Sequence, residues 1–172
     1  MSAVYLSDIP RIVTALAEWC ACLVVIAQYP RRFHGRRLGL ALGGGLAVQG
    51  LFLGLTDALS IWLWLPCMAA AVGLMFLLIS VCCDMPLATV GYCTVRAFLL
   101  AEFAASLEWQ LYSYTAYTLG MGREDAARGP LAVLFVAVVY VPIFLLMYWL
   151  ESRRGDPLTA MSFRLSELWS PA

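Results

Sequence analysis

The 172-residue chain is 63% hydrophobic and 13% charged, and its mean hydropathy is +0.83. This composition excludes a water-soluble domain and indicates an integral membrane protein. Eleven basic residues balance eleven acidic residues, so the chain has no net positive charge with which to bind nucleic acid, and we expect no such partner.

The first apolar segment begins a series of five, each long enough to cross a hydrocarbon core of about 30 Å as a helix. Their pattern predicts an all-α, polytopic membrane helix bundle with a transmembrane domain over residues 1–156. Residues 157–172 are predicted to form a short amphipathic cytoplasmic tail, or the lead-in to a missing segment. The expected spans lie near 10–29, 38–56, 59–83, 87–113 and 130–150.

Two arginine clusters predict the orientation. Residues 30–37, between the first and second spans, contain four arginines, and residues 151–154, after the fifth span, contain two more. Short loops rich in arginine face the cytoplasm. With five spans both clusters fall on the same side, so we expect the amino terminus outside, the carboxyl terminus inside, and a multi-pass location in a bacterial plasma membrane.

The second segment is rich in glycine and has two small-xxx-small repeats, Gly39 to Gly43 and Gly50 to Gly54. Such a flat face allows another helix to approach closely. The partner is either a neighbouring helix of the same bundle or the second helix of a homodimer.

The fourth segment carries three ionisable side chains, Arg96, Glu102 and Glu108. A charge near the bilayer centre persists where a partner, a cavity or a ligand offsets its cost of at least about 2.5–3.5 kcal/mol. Counting residues from the inner end places Arg96 at the same depth as Glu18 of the first segment, and we predict that these two form an intramembrane salt bridge. Glu108, beside Trp109, is predicted to be a solvated acid at the outer boundary.

Polar residues on the fourth helix also form a stripe at helical spacing: Glu102, Ser106, Gln110 and Ser113. This face is the predicted site for a small ligand, a peptide or a proton, and the alternative is hydrogen bonding that only joins helices. The candidate residues for sensing or binding are Glu102, Ser106, Gln110, Glu108 and Trp109.

No catalytic or metal site is predicted. His34 is the only histidine and lies in the arginine-rich loop, and all six cysteines lie in or beside apolar segments. A nucleophile would need a neighbouring base, and a zinc site would need a suitable set of Cys and His ligands. We therefore expect no enzymatic activity, no metal and no cofactor.

The segment from Arg96 to Leu111, RAFLLAEFAASLEWQL, resembles the membrane-embedded input region of bacterial sensor histidine kinases of the GHKL type. The resemblance implies a signal-sensing module of a two-component-type protein, here truncated and without its ATP-binding kinase domain. A signal would shift the packing of the fourth helix, and the fifth helix would carry that change inward.

Two other functions remain open from the sequence. The size and span count also fit a small substrate-binding transporter subunit, similar to the S-component of an energy-coupling-factor transporter, with Ala17 and Ala21 resembling its coupling motif. The third alternative is a structural membrane subunit whose charges only fix the order of the helices.

Overall fold

The structure, a computed structural model, describes residues 9–56, 61–119 and 130–153. Within these residues the chain is 88% helical, with five helices and no strands. The expected tail at 157–172, the turn at Asp57 and the outer loop at 120–129 lie outside the described residues. The helices are α1 (Arg11–Gln28), α2 (Arg36–Leu55), α3 (Ile61–Cys82), α4 (Leu87–Thr118) and α5 (Pro130–Arg153).

Each helix of the described part is long and apolar enough to cross a membrane, which confirms the prediction of an all-α fold with five helices of membrane-spanning length. The largest departure from the predicted bounds is in α4, which continues to Thr118 rather than ending near 113. Its 32 residues correspond to about 48 Å at 1.5 Å per residue, well beyond a 30 Å hydrocarbon core. α4 therefore has to tilt or project from the bilayer.

α1 occupies the middle of the bundle. Among the described helices it packs against each of the others and most extensively against α4, while α2, α3, α4 and α5 follow one another around it. Small buried side chains at Ala15, Ala17 and Ala21 let these neighbours approach closely. The core of the bundle is therefore built around α1 and the face of α4 that contacts it.

One end of the bundle gathers the loops that contain the arginines. The backbone N–H of Arg32 donates to the Cys82 carbonyl oxygen at 2.8 Å, and that of Asp84 donates to Pro30 at 2.9 Å. The Gln28 side chain donates to the Tyr148 carbonyl oxygen at 3.2 Å, so the end of α5 lies here too. We call this the arginine end; it brings the 30–37 cluster and the described part of the 151–154 cluster to the same side.

The glycine face of α2 remains largely open. A Cβ atom added at Gly39, Gly43, Gly50 or Gly54 would meet no other atom of the described structure within 4 Å. Gly45 is different, because a Cβ there would lie 2.8 Å from the Leu78 side chain of α3. The small-xxx-small repeats therefore do not pack inside the described bundle, and the homodimer contact stays a prediction.

Candidate functional site

Glu18 is the most buried acid of the described structure, with no exposed surface, although it lies on a membrane-spanning helix. One of its carboxylate oxygens, Oε2, accepts a hydrogen bond from the Gln49 side chain of α2. The Gln49 amide also reaches the Ala71 carbonyl oxygen of α3 at 3.5 Å. These contacts join three helices around one carboxylate.

Glu102 of α4 lies close enough to Glu18 for the two side chains to interact electrostatically. Arg11, seven residues before Glu18 and on the same face of α1, interacts electrostatically with both carboxylates. Its guanidinium also contacts the Met68 sulfur of α3 at 3.8 Å. Two acids and one arginine from α1 and α4 thus share a buried region where these helices meet α3.

Glu108 is also inside the bundle, with 2% of its surface exposed, so the prediction of a solvated acid at the outer boundary is wrong. The buried Tyr140 of α5 lies within electrostatic range of both Glu108 and Glu102. Its hydroxyl donates a hydrogen bond to the Val13 carbonyl oxygen at 3.0 Å. Tyr140 therefore lies where the carboxyl-terminal half of α4 and the start of α1 approach α5.

Glu18, Glu102 and Glu108 together form what we call the acidic row. Each has one buried carboxylate oxygen without a hydrogen-bond partner among the described residues: Oε1 of Glu18, Oε1 of Glu102 and Oε2 of Glu108. Burying an ionisable group without a full set of partners is costly. Acids kept inside a membrane bundle are therefore functional candidates, for a ligand or for a proton.

The predicted ion pair between Glu18 and Arg96 is wrong. Arg96 pairs with Glu151, near the end of α5, while Glu18 contacts Gln49. Side chains lean toward the amino terminus of their own helix, and α1 and α4 run in opposite directions. Arg96 therefore leans toward the arginine end and Glu18 leans away from it, so that equal depth along the two helix axes does not bring them together.

The same leaning explains why Glu18 meets Glu102. Glu102 lies about 9 Å farther along α4 than Arg96, and its side chain leans back toward the level of Glu18. A repulsive pair of acids therefore takes the place of the predicted attractive pair, with Arg11 as the nearby cation.

The Arg96–Glu151 pair has its own surroundings at the arginine end. The Arg96 guanidinium lies 5.5 Å from the centre of the Tyr92 ring, an arrangement that stabilises a cation. The charges of Arg96 and Glu151 also reach Tyr29, at the end of α1. The pair therefore links α4 to α5 beside the end of α1.

The predicted polar stripe does not form one inward face. Glu102 and Ser106 are half-buried, but Gln110 is exposed on the outside of the bundle. Trp109 is half-buried and packs at 6.0 Å from Tyr112, which in turn lies edge-to-face against Phe135 of α5 at 5.6 Å. Trp109 thus belongs to the packing between α4 and α5.

Sequence reasoning missed four residues of this region: Arg11, Gln49, Tyr140 and Glu151. Two of these four residues, Gln49 and Arg11, could have been recognised from the sequence. Gln49 is the only side chain with an amide between Leu38 and Leu55, and Arg11 is spaced two helical turns from Glu18. The predicted fifth span ends at residue 150, so Glu151 falls just outside it and is not expected to have a partner inside the bundle.

Among the described residues no group of three His, Cys, Asp or Glu side chains is arranged to hold a metal ion. Comparison with protein-family models, curated proteins and solved structures returned no match for this chain. Its function is therefore inferred from the placement of its own side chains.

Proposed function

We propose that this chain is a membrane-embedded sensory input module, in which the acidic row receives a signal and α4 transmits it to the end of α5. The observation that carries the proposal is that α4 contributes both to the acidic row and to the ion pair with α5. Glu102 and Glu108 of α4 belong to the acidic row, and Arg96 of the same helix holds Glu151 of α5.

The physical basis is a balance of charges. Glu102 is repelled by Glu18 and attracted by Arg11 across the interface of α1 and α4. Neutralising or occupying one carboxylate changes that balance and favours a different packing of α4 against α1. Because Arg96 lies less than two turns from Glu102 on the same helix, the shift in packing alters the ion pair between Arg96 and Glu151.

The orientation belongs to the same proposal. The arginine end faces the cytoplasm of a bacterial cell, as the positive-inside rule favours, so the end of α5 delivers the signal inward. In a two-component protein of the GHKL type that end would lead toward the kinase domain. The acidic row and the Arg96–Glu151 pair receive and transmit the signal, and neither is assigned a catalytic step.

Hydrogen–deuterium exchange of the chain in lipid nanodiscs tests the transmission. In the Glu102→Gln variant we expect exchange of the backbone amides at 145–153 to change by about fivefold, the factor that matches 1 kcal/mol of local opening free energy. Tyr114→Phe is the control on α4, since Tyr114 is exposed and should leave that segment unchanged.

A double variant separates transmission from general loosening. With Glu151→Gln already present, adding Glu102→Gln should have little further effect on 145–153, because the link to α5 has been removed. If Glu102→Gln changes exchange only near residue 102, or acts equally in both backgrounds, α4 does not transmit through Arg96 and Glu151.

A further inference from the structure

A cleft of about 230 Å³ lies between α1, α2 and α3. It extends along α2 from Ala41 to Gln49, which is about 12 Å at 1.5 Å per residue. Its rim includes Val48, Leu77 and Val81, which point outward from the bundle. In a membrane this rim faces hydrocarbon, so the cleft is entered sideways from the lipid.

Glycine keeps the cleft open. Gly44 lies in its wall, and a Cβ atom added there would meet nothing within 4 Å in the described structure. A larger side chain at this position would therefore project into free space rather than into the packing of the bundle.

The floor of the cleft is polar although its walls are apolar. Glu18 lines it, fully buried, with Oε1 lacking a hydrogen-bond partner among the described residues while Oε2 is held by Gln49. Trp19 also lines the cleft, and its indole N–H donates to the Leu42 carbonyl oxygen at 2.9 Å. A carboxylate acceptor and an aromatic side chain thus line the same, otherwise largely apolar, cleft.

We propose that this cleft binds a membrane-dissolved amphiphilic amine, whose protonated head donates to Glu18 Oε1 while its apolar tail lies between α2 and α3. An amphiphilic amine is thus the class of ligand proposed for Glu18, the most buried acid of the acidic row. This assignment rests on the proposed function only for what binding would trigger, since the cleft and its carboxylate exist independently of signalling.

Three features favour an amine over a neutral head group. Gln49 already supplies an amide donor to Glu18, so the remaining oxygen is an acceptor without a donor among the described residues. Glu18 and Glu102 share Arg11 as a nearby cation, and a second cation would balance the second carboxylate. The Trp19 ring offers the kind of face to which organic cations bind. The cleft is smaller than most drug-binding pockets, which suits a head group and the first part of its chain, with the far end of the tail in lipid.

Photolabelling in phosphatidylcholine nanodiscs tests the site. A dodecylamine that carries a diazirine on its chain is bound and irradiated, and labelled peptides are identified by mass spectrometry. We expect saturable labelling of 41–49 and 74–81, competed by dodecylamine and not by 1-dodecanol. Glu18→Gln should weaken it by at least about tenfold, because a charge-assisted hydrogen bond is lost.

Two variants, Gly44→Leu and Glu18→Gln, each have a matched control. Gly44→Leu fills the cleft and should abolish labelling, while Gly43→Leu, its neighbour outside the cleft wall, should not. Asp84→Asn removes one acidic charge at the exposed arginine end and should leave labelling unchanged.

Equal competition by 1-dodecanol, or full labelling of Glu18→Gln, would overturn the amine site. Labelling spread over all five helices would also overturn it. Hydrogen exchange at 145–153, measured on the amine-loaded protein, distinguishes the two proposals: cleft labelling without any exchange change supports the binding site and contradicts the sensory function.

Discussion

Replacing Glu151 with glutamine removes the carboxylate that holds Arg96 at the arginine end. Breaking a fully buried ion pair costs about 3–5 kcal/mol, and breaking an exposed pair costs about 0–1 kcal/mol. The two side chains are 25% and 16% exposed, so the pair lies between these limits. We expect Glu151→Gln to lower the free energy of unfolding by about 2 kcal/mol.

The assay is a double-variant cycle of Arg96→Leu and Glu151→Gln, with unfolding in mixed detergent micelles followed by circular dichroism. The internal control is the Arg32–Asp84 pair, 3.3 Å apart with 51% and 77% of the side chains exposed, for which we expect a coupling energy below about 1 kcal/mol. Additive effects of Arg96→Leu and Glu151→Gln would refute the pairing on which the transmission depends.

Three further outcomes follow from single contacts. Tyr140→Phe removes the hydroxyl that donates to Val13 and should cost about 1 kcal/mol of unfolding free energy. Gly45→Ala should be less stable than Gly39→Ala, by roughly 1 kcal/mol, because its Cβ would come within 2.8 Å of a Leu78 methyl group that has to shift. Burial raises the pKa of Cys83, just beyond α3, to about 11, so its thiol should stay protonated at pH 8 and react very slowly with N-ethylmaleimide.

Each of these outcomes has a comparison within the chain. Tyr114→Phe alters an exposed tyrosine and should leave stability unchanged. The Cβ of Gly39→Ala would meet no other atom of the described structure within 4 Å, so this variant should not destabilise. Cys83 in the detergent-unfolded protein should react at the ordinary thiol rate, and its reactivity in the folded protein should rise only as the pH approaches 11. Equal effects of Tyr140→Phe and Tyr114→Phe on stability would contradict the Tyr140–Val13 hydrogen bond. Equal effects of Gly45→Ala and Gly39→Ala would contradict the close approach of Leu78 to Gly45. Rapid reaction of folded Cys83 at pH 8 would contradict its raised pKa.

The five helices could be predicted from the sequence because apolar length alone determines which segments can span a membrane. The partners of the charged residues could not. Depth counted along a helix gives the level of a Cα atom, whereas Arg96 and Glu18 diverge because their side chains lean in opposite directions. A fourth span that ends near 113 makes Glu108 an interfacial residue, but the helix continues to Thr118.

The polar stripe shows a second limit of sequence reasoning. Helical spacing does align Glu102, Ser106 and Gln110 on one side of α4, yet α4 packs against α1, α3 and α5 in the described bundle, and these neighbours do not cover that side evenly. Glu102 is half-buried and Gln110 is exposed. Which part of a polar face turns inward depends on the neighbouring helices, and their arrangement is not encoded in the periodicity of one segment.

The central place of α1 has a consequence for biosynthesis. α1 precedes α2 in the chain, so during synthesis Glu18 reaches the translocon 31 residues ahead of Gln49, its hydrogen-bond partner. A charged side chain without a partner raises the insertion cost of its helix by about 2.5–3.5 kcal/mol. α1 and α2 should therefore leave the translocon as a hairpin, with the amide of the second helix already attached to the acid of the first.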